Sequence, residues 1–262
     1  MNVSPARHVA FKAYGVRVRV SADQPEVQAL VPGLLPPCSE PWSVTDTDES
    51  FGVIGEVGGT YRFERGDSLV TKGIDLEFAL QLLETQLRMF VGLNSPGMTF
   101  VHAGVVEHGG RAVVLPGLSF SGKTRLVLAL TELGATYYSD EFAVIDHDGL
   151  VHPFPKAISV RDDRELQVHH QPEDLGVGVG TTPVPIGAVL FTEYRTHGVW
   201  DPKPLSPGRG LLSMLANTLG ARSRSEEAMQ TIKQAIDGAT LLESERGEAA
   251  EAAGRMLDLV TV

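Results

Sequence analysis

An eight-residue segment near the middle of the chain constrains the fold more than any other feature. It matches the pattern G-x-x-x-x-G-K-[ST] and reads Gly117-Leu118-Ser119-Phe120-Ser121-Gly122-Lys123-Thr124. An apolar stretch at 113–115 precedes it, and an apolar run with helical spacing at 123–133 follows it. In such a strand–loop–helix unit the backbone N–H groups of the loop point at a phosphate, and the helix adds the positive end of its dipole. The pattern therefore predicts an α/β domain with a phosphate-binding loop.

The residues of this loop have separate expected tasks. Lys123 would supply a point charge to the β- and γ-phosphates of a nucleotide, and the hydroxyl of Thr124 would ligate Mg²⁺. The predicted nucleotide-binding residues are Gly117, Ser119, Phe120, Ser121, Gly122, Lys123 and Thr124. The alternative is a glycine- and serine-rich turn with a surface lysine, and the strand before the loop and the helix after it favour the phosphate site.

Two adjacent carboxylates, Asp140 and Glu141, follow the next predicted strand at 136–138. A phosphate-binding loop of this type needs an acidic partner near the metal, and this is where such a carboxylate is expected. One member of the pair can hold Mg²⁺ while the other takes a proton from an attacking hydroxyl, and the sequence leaves open which does which. The alternative is a solvated acidic turn.

The charge balance limits the partners of the chain. Its 262 residues include 33 acidic and 22 basic ones, which gives a net charge of −11. Nucleic acids and anionic membranes require a basic surface, so we exclude both as main partners. The single cysteine, Cys38, excludes an intrachain disulfide and a multi-cysteine zinc site. With neither the apolar core of a signal peptide near the N-terminus nor an apolar run long enough to span a membrane, the sequence predicts a cytoplasmic protein.

Turn-forming residues at 94–97 divide the chain into two parts. Before them, an alternating pattern predicts a strand over 10–20, and apolar residues at helical spacing predict a helix over 75–91. We therefore predict a smaller α+β region over 1–95 and an α/β catalytic domain over 96–262.

The second part begins with two apolar segments, 98–106 and 111–115, joined by His108-Gly109-Gly110. This arrangement predicts a β-hairpin immediately before the phosphate-binding loop. Three helices are predicted later in the chain, at 207–219, 225–236 and 243–256.

Several residue groups of the second part occur together in one known family. His102 lies fifteen positions before Gly117, and Asp140 lies seventeen positions after Lys123. Later, Pro207-Gly208-Arg209 opens an apolar helix. In these features the chain resembles the C-terminal catalytic domain of bacterial HPr kinase/phosphorylase, a P-loop kinase fold related to phosphoenolpyruvate carboxykinase. The resemblance covers less than half of the chain.

The resemblance implies a role for each matched position. Asp140 would be the catalytic base toward a substrate hydroxyl, with His102 adjusting it, and Glu141 would assist at the metal. Arg209 would help to hold the substrate or the phosphate region. Without the resemblance, His102 would be interpreted as a hydrogen-bonded core residue of a strand. Glu141 stands where the family carries aspartate and Gly210 where it carries asparagine, so HPr as the substrate and the reverse reaction stay open.

Together, these features predict an ATP- and Mg²⁺-dependent kinase that phosphorylates a Ser/Thr-type hydroxyl of a peptide, a protein or a small molecule. Two alternatives are a non-catalytic ATP-binding regulatory module and a simple ATPase. Asp140 and His102 favour the kinase, because a nucleotide sensor needs no base near the terminal phosphate. The 1–95 region is expected to select the acceptor, and the sequence leaves open whether the chain forms a homo-oligomer.

Overall fold

The structure, a computed structural model, describes residues 7–117, 121–161 and 167–260. They form two compact units, of which the first ends at Pro96 and the second starts at Gly97. Each unit contains its own β-sheet and its own helices, so the chain is a mixed α/β protein. Among the described helices, none is both long and apolar enough to cross a membrane.

The first unit is built on one six-stranded sheet. Its elements are β1 (Arg7–Ala13), β2 (Val16–Ala22), α1 (Pro25–Leu30), β3 (Glu40–Pro41), β4 (Glu49–Gly55), β5 (Tyr61–Arg65), β6 (Ser68–Ile74) and α2 (Leu76–Asn94). The strand order is β3-β1-β2-β4-β5-β6, and neighbours are antiparallel except β2 and β4. The single strand predicted over 10–20 is wrong, because a turn at Tyr14 and Gly15 divides it into β1 and β2. Both turn residues have positive φ, +46° and +84°, which an alternating apolar pattern does not reveal.

Helix α2 packs an apolar stripe against this sheet. Its buried residues repeat at four-residue spacing, at Ala79, Leu83, Leu87 and Val91. The ring of Phe90 meets that of Phe51 on β4 edge to face, with centroids 6.0 Å apart. The helix begins after Asp75, whose carboxylate accepts a hydrogen bond from the Phe78 N–H at 2.8 Å. The helix predicted over 75–91 is therefore confirmed, and it continues to Asn94.

The second unit is built on an eight-stranded sheet. Its elements are β7 (Met98–His108), β8 (Arg111–Pro116), α3 (Lys123–Glu132), β9 (Thr136–Ser139), β10 (Phe142–Asp146), β11 (Leu150–His152), β12 (Ile158–Arg161), β13 (Gln167–His170), β14 (Val184–Tyr194), β15 (Lys203–Pro204), α4 (Pro207–Ala216), α5 (Ser225–Ala235), β16 (Thr240–Arg246) and α6 (Ala249–Leu257). The strand order is β11-β10-β7-β8-β14-β16-β15, β9 also pairs with β7, and β12 and β13 form a separate pair. Because β8, β14 and β16 are parallel, their carboxyl ends meet at one edge of the sheet.

The predicted hairpin before the loop is confirmed. β7 and β8 are antiparallel and pair as far as His108 and Arg111, which leaves Gly109 and Gly110 as a two-residue turn. Both glycines have positive φ, +61° and +79°, as a tight hairpin turn requires.

Helices cover both faces of the second sheet. On β8, Val113 and Leu115 belong to a buried cluster with residues of α3 and α6, whereas Val114 belongs to a cluster with residues of α4 and α5. A strand that is buried on both faces needs an apolar residue at every position, which accounts for the uninterrupted apolar run before the loop. The loop thus starts from a strand fixed on both sides.

The helix predicted over 243–256 is wrong in its first part and confirmed in its second. Residues 243–246 are the second half of β16, Gly247 and Glu248 follow, and α6 covers the rest of the segment. β16 pairs in parallel with β14, and Leu241 and Leu242 are buried there. A Cβ at Gly247 would lie 2.8 Å from the carbonyl oxygen of Gly198, so the chain needs glycine where it leaves the sheet. Pairing with a distant strand overrides the helix propensity of the glutamates.

A buried carboxylate closes the turn between β10 and β11. Asp146 bonds to His152 Nε2 at 2.7 Å and accepts hydrogen bonds from the N–H groups of Asp148 at 3.0 Å and Leu150 at 2.9 Å. Burial raises the pKa of Asp146, but the bonds from His152 and the backbone outweigh it, and the pKa lies below its ordinary value. The ionised carboxylate therefore stabilises this turn.

We expect Asp146→Asn to lower the free energy of unfolding at pH 7 by about 1.5–3 kcal/mol, the usual range for hydrogen bonds to a charged group. Because the folded-state pKa is depressed, this stabilisation is present above the unfolded-state pKa and is lost as the pH falls through the folded-state pKa. Chemical denaturation at pH 7 and in the acidic range measures the free energy of unfolding and its dependence on pH. Asp148→Asn, at an exposed carboxylate of the same turn, is the control. A difference between wild type and Asp146→Asn that stays constant down to acidic pH would contradict this account.

Candidate functional site

Two glycines frame the loop after β8, and at each a neighbouring side chain occupies the space next to the Cα. A Cβ at Gly117 would lie 2.9 Å from Ser121 Oγ, and one at Gly122 would lie 2.7 Å from Arg246 Nη2. Gly122 also has φ +81°. The N–H of Gly117 donates to the carbonyl oxygen of His102 at 3.1 Å, which fixes the start of the loop beside β7. Two predicted nucleotide-binding residues lie outside the described residues, Ser119 and Phe120.

Lys123 is the first residue of α3, and its side chain turns back over the loop. Its Nζ donates to the carbonyl oxygen of Gly117 at 2.8 Å, and the residue is only 9% exposed. Burial lowers the pKa of Lys123 to about 8, and the nearby charges of Asp140 and Glu141 oppose the fall. The group is therefore mostly protonated at pH 7, and its ammonium nitrogen lies against the backbone of Gly117, the residue that opens the loop.

Asp140 lies where the pairing partners of β7 change. β9 and β10 are both antiparallel to β7, and the residues between them, Asp140 and Glu141, interrupt the pairing. Asp140 Oδ2 accepts a hydrogen bond from Thr124 Oγ1 at 3.0 Å, and Oδ1 accepts one from the Tyr137 hydroxyl at 3.0 Å. The residue is 8% exposed. The interruption of the strand thus places the carboxylate against the first turn of α3.

Glu141 is half-buried next to Asp140. Its Oε2 lies 3.2 Å from Nζ of Lys156, and both side chains are less than one-fifth exposed. The carbonyl oxygen of Lys156 lies 3.2 Å from the Tyr137 hydroxyl, so the segment before β12 closes one side of the carboxylate pair. The site therefore contains a second lysine besides Lys123.

His102 lies on β7 directly across from Phe142 on β10. The two rings are 5.4 Å apart between centroids. Burial lowers the pKa of His102, the positive charge of Lys123 lowers it further, and Glu141 partly opposes both. The imidazole is therefore neutral at pH 7. The backbone of His102 lies beside the start of the loop, because its carbonyl oxygen accepts the N–H of Gly117.

Arg209 forms an ion pair with a residue outside this group. It is the third residue of α4, its side chain is 68% exposed, and its Nη1 lies 3.6 Å from Oε1 of Glu243 on β16. The structure brings five predicted site residues together, and these are His102, Lys123, Thr124, Asp140 and Glu141. The contact of Arg209 is instead with an acidic residue on β16.

A cavity of about 560 Å³ opens at the carboxyl ends of β8, β14 and β16. Pro116, the residue before the loop, forms part of its lining. The lining also includes a lysine, Lys203, and the carboxylates of Glu193, Asp201, Glu243 and Glu245. The cavity therefore adjoins the loop but carries the opposite charge to a phosphate-binding surface.

Sequence reasoning missed three residues that contact the site. Tyr137 lies within a predicted strand, but nothing in the pattern shows that its hydroxyl reaches Asp140. Lys156 lies in a segment with no regular secondary structure. Arg246 falls in the region predicted as a helix, yet its Nη2 donates to the carbonyl oxygen of Gly122 at 3.1 Å. The contacts of Lys156 and Arg246 join parts of the chain that are distant in sequence. Only the three-dimensional arrangement of the strands and loops identifies these residues.

Comparisons with known proteins give a distant structural resemblance. No protein family model matches the chain, and no curated protein matches it. Among solved structures, the chain is similar to the HPr(Ser) kinase/phosphatase from Coxiella burnetii, with 16% sequence identity and a TM-score of 0.34. The similarity covers 62% of this chain and 93% of that chain. No activity follows from a resemblance at this distance.

Proposed function

We propose that this chain is an ATP- and Mg²⁺-dependent kinase with a P-loop fold of the HPr kinase type, and that it phosphorylates a Ser/Thr-type hydroxyl of a peptide, protein or small molecule. The observation that carries the proposal is the 3.0 Å hydrogen bond between Thr124 and Asp140, beside the buried ammonium group of Lys123. A phosphate-binding loop with a helix behind it and a carboxylate in contact with its threonine is the arrangement used in phosphoryl transfer.

The residues present fit a magnesium ion. The hydroxyl of Thr124 and the carboxylate of Asp140 are hard oxygen donors, and Mg²⁺ is commonly bound by one or two carboxylates together with substrate phosphates and water. Among the described residues, no group of three or more His, Cys, Asp or Glu side chains is arranged to hold a metal. A magnesium ion here would therefore depend on the phosphates and water for its other ligands. Thr124, Asp140 and Glu141 would hold the ion, and when bound it would offset the negative charge of the phosphates.

The polyphosphate would be bound by the loop and by the first turn of α3. The N-cap residue of that turn is Gly122, which has no side chain of its own to cap it. The N–H groups at this positive end of the helix would bind an anion. Lys123 adds the positive charge that a polyphosphate needs. The adjoining cavity has an acidic lining, so we assign the phosphates to the loop and not to the cavity.

The chain's own residues would then position the reactants and move one proton. Asp140 is held by the hydroxyl groups of Tyr137 and Thr124 and would accept the proton of the acceptor hydroxyl. As that O–H bond breaks, the acceptor oxygen bonds to the terminal phosphorus, the bond from phosphorus to the bridging oxygen breaks, and ADP leaves. His102, as a neutral imidazole, would adjust the carboxylate pair without adding positive charge. Most of the rate gain would come from positioning and charge stabilisation.

A labelling experiment tests this function against the two alternatives. The protein is incubated with Mg²⁺, ATP labelled at the terminal phosphate, and a panel of serine and threonine peptides, proteins and small hydroxyl compounds. The proposal predicts label on at least one acceptor. Release of labelled inorganic phosphate with no labelled acceptor would indicate an ATPase, and binding of ATP with neither product would indicate a regulatory module.

A further inference from the structure

Arg246 is a buried arginine that donates hydrogen bonds to carbonyl oxygens. It ends β16 and is 2% exposed. Its Nη2 donates to the carbonyl oxygens of Gly122 at 3.1 Å and Ser121 at 3.4 Å, and its Nη1 donates to that of Gly247 at 3.1 Å. The guanidinium group also lies over the ring of Tyr194, 5.6 Å from the centroid. Placing a charged arginine in the interior is energetically unfavourable unless its donors are hydrogen-bonded. Here two consecutive carbonyl groups of the loop accept hydrogen bonds from it.

Those two carbonyl groups determine where two N–H groups point. In a trans peptide the C=O and the following N–H lie in one plane and point in opposite directions. The carbonyl of Ser121 shares its plane with the N–H of Gly122, and the carbonyl of Gly122 shares its plane with the N–H of Lys123. By holding both oxygens, Arg246 fixes both N–H groups so that they point away from its own guanidinium group.

The fit between Arg246 and the loop is tight. A Cβ at Gly122 would lie 2.7 Å from Arg246 Nη2, so the arginine occupies the space that a side chain at this position would fill. The carbonyl oxygen of Gly122 also accepts the N–H of Leu126, the first turn of α3, at 3.2 Å. One oxygen therefore joins the loop, the helix and β16.

We infer that Arg246 is a positioning residue for phosphate binding: from behind the loop it orients the N–H groups of Gly122 and Lys123 toward the polyphosphate. The inference rests on the proposed function, because it assumes that the loop binds a nucleotide. Arg246 touches the loop backbone and acts through it, and its charge adds to the positive potential behind the bound phosphates.

The test compares Arg246→Met, which keeps an apolar side chain and removes every donor, with the matched variant Arg224→Met. Arg224 also donates to a backbone carbonyl oxygen, that of Met98 at 2.6 Å, but at a place that does not involve the loop. For each protein, the dissociation constant of Mg-ATP is measured by calorimetry well below its unfolding temperature, and thermal unfolding is measured separately. Loss of a group that positions a binding surface is expected to cost about tenfold or more. Arg246→Met should therefore weaken Mg-ATP binding about tenfold, while Arg224→Met should lower only the unfolding temperature.

Each outcome decides the inference. If Arg246→Met is less stable but its folded form binds Mg-ATP as the wild type does, Arg246 is merely structural and the inference is overturned. If Arg246→Met does not fold, Arg246→Lys is measured instead, because it keeps the charge and one donor group. An affinity for Mg-ATP below that of the wild type but still measurable supports the inference. An affinity equal to that of the wild type overturns it. If the wild type itself does not bind Mg-ATP, the proposed function has failed, which is a different result from equal binding by wild type and variant.

Discussion

Lys123→Met is expected to weaken the binding of Mg-ATP by about 30-fold or more and to abolish measurable transfer. Removing one partner of a desolvated charge contact costs about 2–5 kcal/mol, and 2 kcal/mol corresponds to about 30-fold in affinity. Methionine keeps the apolar stem, and burial already lowers the pKa of Lys123, so the neutral side chain should be accepted by the fold. The loss should therefore appear in ligand binding and not in stability.

Calorimetric titration with Mg-ATP measures the affinity of this variant, and thermal unfolding confirms that it is folded. Lys233→Met removes an exposed lysine from the last turn of α5 and is the matched control. It should bind Mg-ATP as the wild type does. A folded Lys123→Met protein with wild-type affinity would show that the loop after β8 does not hold the phosphates.

Asp140→Asn is expected to reduce the rate of phosphate transfer by about 10²-fold or more, the usual contribution of a general base. Asparagine keeps the size of the side chain and one oxygen that can accept the bond from Thr124, but it cannot take up a proton at neutral pH. The affinity for Mg-ATP should change far less, because oxygen donors for Mg²⁺ remain on Thr124, Glu141 and the amide. Rate and affinity should thus separate in this variant.

Transfer to an acceptor found by the labelling experiment gives the rate, and calorimetry gives the affinity. Asp258→Asn, at an exposed carboxylate just after α6, is the control and should leave both unchanged. A parallel fall in rate and affinity would make Asp140 chiefly a metal ligand. Wild-type values for both would show that Asp140 serves neither as the base nor as a metal ligand.

The local parts of the fold could be predicted from the sequence. The hairpin at Gly109-Gly110 and helix α2 depend on turn residues and on periodicity within one segment, and both predictions are confirmed. The spacing from Lys123 to Asp140 predicted a shared site, and the structure does bring these residues together around Thr124. Their roles in nucleotide binding and catalysis stay predictions.

The contacts between distant segments could not be predicted. Tyr137, Lys156 and Arg246 reach the site only because the sheet brings their strands and loops beside α3. The segment with Arg246 is rich in glutamate and was predicted as a helix, although its pairing with β14 makes it a strand. Arg209 is a different case: the resemblance implies that it helps to hold the substrate or the phosphate region, and in the structure its guanidinium group pairs with Glu243.

The most direct test of the central claim, that the loop and the carboxylate pair form a Mg-ATP site, is a calorimetric titration of the wild-type protein with ATP. One titration contains Mg²⁺ and a second contains a chelator in its place. We expect saturable binding of one ATP per chain with Mg²⁺, and affinity at least about tenfold lower without it, because Thr124, Asp140 and Glu141 would bind the nucleotide through the ion. No saturable binding with Mg²⁺, or equal affinity in both titrations, would contradict it.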